Sequence, residues 1–597
     1  MQKNNLAIES GKRISYKYWV FLFSVYLLLT VIITYPLIFN FSKGVLGPPP
    51  LEDSRIFLWE IHQFGEKIFH EFKNPLVAEG IFYPRGLHYQ NMNFTLAAVL
   101  FSPLGLITSP TIAYNIWIFF GFIASGIFLF LLAHHLTNNK WVSFLASIIF
   151  TFSPYRYQAA YNGQPAESSG TFLIPLLLYL LIVFLRKKNA FFAFVFFLAF
   201  AFTALWNAYY GAFSILLIPV FTFFYFFFNK NEFSNWRKLG FNNIFKIIIL
   251  PVLTVLLILL PFYFALYKSD RIVTESGLQV FWGSFETEMD GSVADIVDYV
   301  TPLPFYYKDI DFGYRNWNVW PANCYYISFL LLPALLIYFF RRNKKRIEKI
   351  IFYTFLVLFI LSMGSSLRYD HALVKPFGLS YIPLPGSILH ILPVISDARI
   401  IARLGIFVNL FASLLIGFMF LPAFSEKFGK KTKLFFLSIL SLFFFAETYT
   451  YVIPSKIKPS VAPKVYEKIT KTKGDFSIIE YPLRIAAGYP FNEEELFYQT
   501  IHGKKTVFGF APFRSKSLET HLNKFGAFSQ DKGDFRIDRD YLKKAKVKFI
   551  LVNKLKIDGL YPDKKEEVYK KITAEIKSIP SASMQSVEGI DLYEIKN

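Results

Sequence analysis

A chain of 597 residues that is 54% hydrophobic and 20% aromatic, with a mean hydropathy of +0.38, carries more apolar surface than a soluble protein can hide. Its net charge of +21 sits in short Lys/Arg clusters between apolar runs, which is how membrane topology is set, so nucleic-acid binding is set aside. With one cysteine, Cys324, neither an intrachain disulfide nor a cysteine cage for metal can form.

Lys3, Lys12, Arg13 and Lys17 precede the first apolar run, near 19–40. That run is too long for a signal-peptide core and no small-residue cleavage site follows it, so an uncleaved signal anchor is expected. Further runs lie near 112–133, 141–154, 171–185, 190–207, 208–228, 244–266, 323–340, 349–364, 401–421 and 433–453. At roughly 20 residues per crossing these predict about eleven transmembrane helices. The run 95–108, interrupted by Ser102-Pro103, reads as re-entrant or interfacial.

Charge tests that count. A cytoplasmic N-terminus puts the Lys/Arg-rich loops inside, with Arg341-Arg342, Lys344-Lys345-Arg346 and Lys430-Lys431 the clearest. Three long loops, 41–111, 267–322 and 365–400, then share the external face, and loops of such length are usually functional. Two domains follow: a transmembrane domain over 1–455 and a soluble external α/β domain over 456–597. In the second, Phe476–Tyr481, Thr506–Phe510, Val547–Val552 and Asp591–Ile595 read as strands, alternating with helical patterns at 492–500, 515–527, 538–545 and 562–577.

The stretch that concentrates chemistry is 47–60. Pro48-Pro49-Pro50 stiffens the chain just before Glu52 and Asp53, and from Arg55 onward Phe57, Ile61, Phe64, Ile68 and Phe72 recur at helical spacing. This predicts an amphipathic helix in the interface plane, its apolar face toward lipid or the membrane domain and Glu60, Gln63 and Glu66 on the other side. A partly desolvated carboxylate at that edge can deprotonate a hydroxyl presented to it. Arg399 and Arg403, four residues apart at the external mouth of the run 401–421, share a helix face and suit a phosphate, which the planar guanidinium binds two oxygens at a time. Arg85 and Arg156 are secondary phosphate candidates on the same side. Glu167 and Gln164 could contact sugar hydroxyls, and Trp282 could stack on a sugar ring.

The order of several short motifs resembles a known family. Glu52-Asp53-Ser54-Arg55-Ile56-Phe57-Leu58-Trp59 is similar to the motif that follows the first helix in polytopic bacterial glycosyltransferases of the GT-C superfamily. The resemblance continues through Asn74-Pro75, Phe82-Tyr83-Pro84-Arg85-Gly86, Phe152-Ser153-Pro154-Tyr155-Arg156, Asn162-Gly163-Gln164 and Asp397-Ala398-Arg399 with Arg403. It implies a GT-C-like fold, a polyprenyl-phosphate-linked sugar as donor, and Asp53 as the catalytic base with Glu52 beside it. An inverting single displacement onto a glycan, lipid or protein acceptor would follow. Departures are Leu51-Glu52 in place of Gly-Asp, and Gln164 where a histidine is expected.

No cofactor is called for. No histidine or cysteine set has metal-ligand spacing, although Glu52 and Asp53 with Glu286, Glu288 or Asp290 would offer oxygen ligands to a divalent ion. Two other functions compete: a transporter or flippase of lipid-linked saccharide, and a non-catalytic scaffold with a cell-wall-binding domain. The first would want charges at mid-membrane or symmetric halves. Here the charges sit at span ends and the halves are unlike.

Overall fold

A computed structural model of the chain describes residues 14–47, 53–88, 96–267, 293–301, 325–369, 372–378, 380–392, 394–395, 400–449, 456–486, 489–490, 493–510, 516–526, 528–529, 536–579 and 582–595. Ten helices build the first half: α1 (Tyr16–Ile33), α2 (Asp53–Gly65), α3 (Leu96–Ile107), α4 (Pro110–Thr137), α5 (Lys140–Thr151), α6 (Pro154–Tyr161), α7 (Pro165–Gly170), α8 (Leu173–Lys187), α9 (Ala190–Trp206) and α10 (Ala208–Phe228). Among the described residues six helical segments are long and apolar enough to cross a membrane: Tyr16–Ile33, Pro110–Thr137, Pro165–Lys187, Ala208–Phe228, Phe241–Pro261 and Ile401–Phe424. Three shorter apolar helices, Leu96–Ile107, Ala190–Trp206 and Leu331–Phe340, accompany them.

The expected eleven crossings are therefore not reached by length alone. At 1.5 Å per residue, α5 with its 12 residues is about 18 Å long, short of the roughly 30 Å hydrocarbon core. The run 95–108 forms the helix α3 with Pro103 inside it, and Ser102 Oγ donates to the Val99 carbonyl one turn back.

The turns of the bundle sort cleanly. At one end Arg186 Nη1 meets His135 Nε2 (3.2 Å), Lys188 pairs with Glu232 (2.8 Å), and Asn139 Nδ2 donates to the Phe424 carbonyl (2.9 Å). Asn139 also caps α5 by accepting from the Trp141 and Val142 amides. The basic loops near 134–140, 186–188 and 229–238 thus share one end. Asp53, Gln164, Glu167, Tyr209 and Arg403 gather at the other.

Residues 456–595 carry a five-stranded mixed sheet in the spatial order Lys505–Thr506, Ser477–Tyr481, Val547–Asn553, Ile590–Ile595, Ala582–Val587. The first three run parallel and the last two antiparallel to their neighbours. Ile478, Ile479, Phe549, Ile550, Leu551 and Val552 are all buried, the near-continuous apolar reading of strands covered on both faces.

Three seams join this sheet to the loop after α1. Gly44–Leu46 pairs antiparallel with Ile457–Pro459. The 80–83 stretch continues the sheet past its edge, for Thr506 N donates to the Gly80 carbonyl (2.8 Å), Tyr83 N to Thr506 (2.9 Å) and Phe82 N to Phe508 (3.1 Å). The third seam is helix against helix: α2 lies on Glu493–His502. Trp59 Nε1 donates to Gln499 Oε1 (2.6 Å), whose amide nitrogen donates to the Gly80 carbonyl (2.7 Å), and the Arg55 guanidinium lies 4.4 Å over the Phe497 ring.

This third seam corrects the reading of α2 as an interfacial amphipathic helix. Leu58, Trp59, Glu60, Ile61 and Phe64 are all buried, since α3 and α4 cover one side while Glu493–His502 covers the other. Arg55 and Trp59 meet a partner helix more than 400 residues away in sequence, so that flank of α2 is an interface within the protein.

Candidate functional site

Asp53 is the first residue of α2, where the partial positive charge of the helix N-terminus favours a carboxylate. Two contacts fix it. Gln164 Nε2 donates to Asp53 Oδ2 at 3.2 Å. Gly163, at φ +76°, brings its backbone so close that a Cβ there would stand 2.7 Å from Ser54 N. That combination of positive φ and close approach admits only glycine without strain. The Asn162-Gly163-Gln164 turn is thus the platform on which the start of α2 rests.

One turn further, α7 carries Glu167. The Glu167 carbonyl accepts from the buried Tyr210 hydroxyl (2.8 Å) and the Ser168 carbonyl from Arg156 Nη2 (3.0 Å). Ser169 Oγ receives both Trp117 Nε1 (2.7 Å) and Trp206 Nε1 (3.1 Å). The backbone of α7 is therefore held without any help from the Glu167 carboxylate. That carboxylate meets Arg403: Oε1 lies 3.1 Å from Nη1, with Glu167 9% and Arg403 5% exposed. The guanidinium also lies 4.2 Å above the Tyr209 ring, a favourable face for a cation. Tyr155 stacks on Tyr325 at 5.0 Å between centroids, and both are electrostatic neighbours of Arg403.

Tyr114 links the two halves. It is wholly buried on α4, its hydroxyl has no hydrogen-bond partner among the described residues, and it interacts electrostatically with Asp53, Glu167 and Arg55. Arg55, 2% exposed, donates Nη2 to the Pro459 carbonyl (2.6 Å), while Nε and Nη1 are buried without acceptors among the described residues. Burial pulls its pKa down from the ordinary arginine value, and Glu494 opposes that shift.

The structure thus brings Asp53 and Gln164 into direct contact, and Glu167 and Arg403 into another. Two expected phosphate ligands are placed elsewhere. Arg156 is completely buried and donates to the Thr151, Gly121 and Ser168 carbonyls (2.5–3.1 Å), with its guanidinium 4.5 Å over the Phe122 ring. A guanidinium so engaged pins α4, α6 and α7 together. Arg85 donates to Ser517 Oγ (2.7 Å) and to the Gly86 carbonyl, which ties the first long loop to the helix Lys516–Lys524. Glu52, Arg399 and Trp282 lie outside the described residues, as do Glu286, Glu288 and Asp290. Among the described residues no group of three His, Cys, Asp or Glu side chains could hold a metal ion.

Sequence reasoning missed Tyr114, Tyr209 and Gln499. The first had a signal, a Tyr-Asn pair inside an apolar run whose Asn115 amide turns out to donate to the Phe41 and Gly44 carbonyls. Gln499 had none, because its partner Trp59 is 440 residues away.

No protein-family model matches the chain, and no curated protein matches it. Solved structures do. The arabinofuranosyltransferase AftD from Mycobacteria superimposes with a TM-score of 0.52 at 12% identity over 98% of this chain, and its R1389S mutant with 0.54 at 13%. The chain spans 40% of the length of AftD. The oligosaccharyltransferase of Archaeoglobus fulgidus in the apo form gives 0.51 at 12% identity, covering 98% of this chain and 75% of that one. At this identity the likeness is one of fold alone: the chain folds like these two enzymes.

Proposed function

We propose that this chain is an integral membrane glycosyltransferase that moves a sugar from a polyprenyl-phosphate donor to a cell-envelope acceptor, with Asp53 as general base. The observation that carries the reading is the pairing of an oriented carboxylate with a buried guanidinium at one end of the bundle. Asp53 is held by Gln164, Arg403 by Glu167, and Tyr114 is an electrostatic neighbour of Asp53 and Glu167. The fold likeness and the run of motifs after the first helix support it.

In this reaction the acceptor hydroxyl gives its proton to Asp53 and its oxygen forms a bond to the anomeric carbon. The anomeric C–O bond to phosphate breaks on the opposite face, and its electron pair goes to the phosphate oxygen. The anomeric centre inverts, and the lipid phosphate rises from a monoanionic diester to a monoester of charge about −1.5 to −2. Arg403, with Arg399 beside it in sequence, would stabilise that growing charge, usually the largest contribution in sites of this kind. The basic loops at the far end of the bundle fit a cytoplasmic end. This would leave the N-terminus in the cytoplasm and Asp53 and the 456–597 domain outside.

The test is direct. Purified protein is supplied with polyprenyl-phosphate hexoses and acceptor-containing envelope extract, and wild type is compared with Asp53→Asn. Losing a general base costs on the order of 10²–10⁴ in rate. Equal transfer by the two proteins would remove Asp53 from this role.

A further inference from the structure

We infer that Glu167 is a displaceable counter-ion of Arg403, which yields the guanidinium to a lipid phosphate as that phosphate gains its second charge. The inference rests on the donor chemistry proposed above and adds a selectivity that the chemistry alone does not demand.

Three observations carry it. The pair is sequestered yet incomplete: Nη1 faces Glu167 at 3.1 Å, whereas Nε is buried without an acceptor among the described residues. Tyr325, an electrostatic neighbour of Arg403, also buries a hydroxyl that has no partner among the described residues. An oxyanion with several acceptor lone pairs satisfies such donors better than one carboxylate oxygen does. Second, the arginine keeps a resting place when the carboxylate leaves, because its guanidinium lies on the Tyr209 face. Third, Glu167 can swing away at no cost to the fold, since α7 is fastened through its backbone carbonyls and through Ser169.

The consequence is a threshold. A bilayer presents a great excess of phosphodiester headgroups, each with one negative charge, and an unguarded arginine at a membrane edge would bind them. A ligand of one charge merely exchanges for the Glu167 carboxylate. The departing lipid phosphate, approaching two charges, wins the exchange. Arg403 is thereby engaged more strongly as the glycosidic bond breaks than before it, which is the differential binding that raises rate.

Isothermal titration of the full-length protein in detergent tests this, with farnesyl phosphate as the monoester probe, short-chain phosphatidylglycerol as the diester and farnesol as the uncharged control. Removing the competing carboxylate in Glu167→Gln should tighten farnesyl phosphate binding by about 5-fold or more, a coupling at the low end for two ligands sharing one site. It should tighten the diester by a larger factor, so the wild-type preference for the monoester shrinks. Should Glu167→Gln not fold, Glu167→Asp, which lengthens the pair but keeps the charge, is expected to give a smaller tightening. Unchanged or weaker farnesyl phosphate binding in the folded variant overturns the counter-ion role while leaving the donor reading intact. Farnesyl phosphate binding no better than farnesol, in wild type and variant alike, overturns both.

Discussion

Gln499 is the residue whose replacement should report most clearly on how the region 456–595 supports the candidate base. Its side chain accepts from Trp59 Nε1 at 2.6 Å and donates to the Gly80 and Lys504 carbonyls at 2.7 and 3.2 Å. Trp59 is buried, so Gln499→Ala leaves an indole N–H with no acceptor, at about 1–3 kcal/mol. Gln499 is itself only half buried, and water entering the gap can recover part of the two carbonyl contacts. A net loss of about 2–4 kcal/mol follows. At about 2–4 °C per kcal/mol for a region of this size, the apparent melting temperature in detergent should fall by roughly 5–15 °C at a fixed scan rate. Transfer activity should fall as well, because α2 carries Asp53 at its first position. Gln499→Glu keeps an acceptor for Trp59 and loses only the donated bonds, so its melting temperature should lie between. A Gln499→Ala protein that melts within a degree or two of wild type and resists protease equally would refute the idea that this contact seats α2.

Three further outcomes are expected. Gly163→Ala forces a Cβ to 2.7 Å from Ser54 N at φ +76°, so transfer should drop at least tenfold through displacement of Asp53, with melting lowered by only a few degrees; unchanged kinetics would dismiss Gly163 as a platform. Arg156→Met leaves the Thr151, Gly121 and Ser168 carbonyls without their donor, and monodisperse protein on size-exclusion should largely vanish; a well-folded but inactive Arg156→Met would return Arg156 to the phosphate site. Burial, then the Glu495 charge, pushes the Glu480 carboxyl up to about 8, while burial pulls His502 down to about 3. Folded Glu480 holds its proton where the unfolded chain has lost it, so stability declines as pH rises from about 4.5 towards 8. His502 works in the opposite sense, its contribution present above about 6.5 and lost as pH falls towards 3. A melting-temperature series across pH should therefore peak between these limbs, and Glu480→Gln should flatten only the alkaline one.

The parts of the fold that could be read in advance are those decided by neighbours in sequence. Apolar runs became helices because a chain in hydrocarbon must satisfy its own backbone, and Ser477–Tyr481, Val547–Asn553 and Ile590–Ile595 took the extended form their β-branched and aromatic residues favour. What could not be read depended on distant partners. The flank of α2 that carries Arg55 and Trp59 was not readable, because nothing local announced Glu493–His502 as its cover. Arg156 looked like a ligand because an arginine near a span end offers charge, and only the fold shows its donors turned inward to carbonyls. Thr506–Phe510 was expected as a full strand, yet only Lys505–Thr506 pairs with Ser477–Ile478. The Val507 amide still donates to the Ile478 carbonyl, while Thr506 and Phe508 meet the 80–83 loop on the other side, again a partner from the far end of the sequence. Asp53 drew notice as a candidate from its place after the first helix, while its contact with Gln164 and the close approach of Gly163 to Ser54 were not readable.

The pairing of Gly44–Leu46 with Ile457–Pro459 has a consequence for biosynthesis. A ribosome adding about 5–20 residues per second needs roughly 20–90 s to pass from Trp59 to Gln499, which lie 440 residues apart. For that interval the loop bearing Asp53 has been made but has neither its strand partner nor its covering helix. The end of the bundle that holds the candidate site can therefore close only after the last apolar helix has been made. A chain terminated after its membrane helices would be born with those helices complete and Asp53 still unseated.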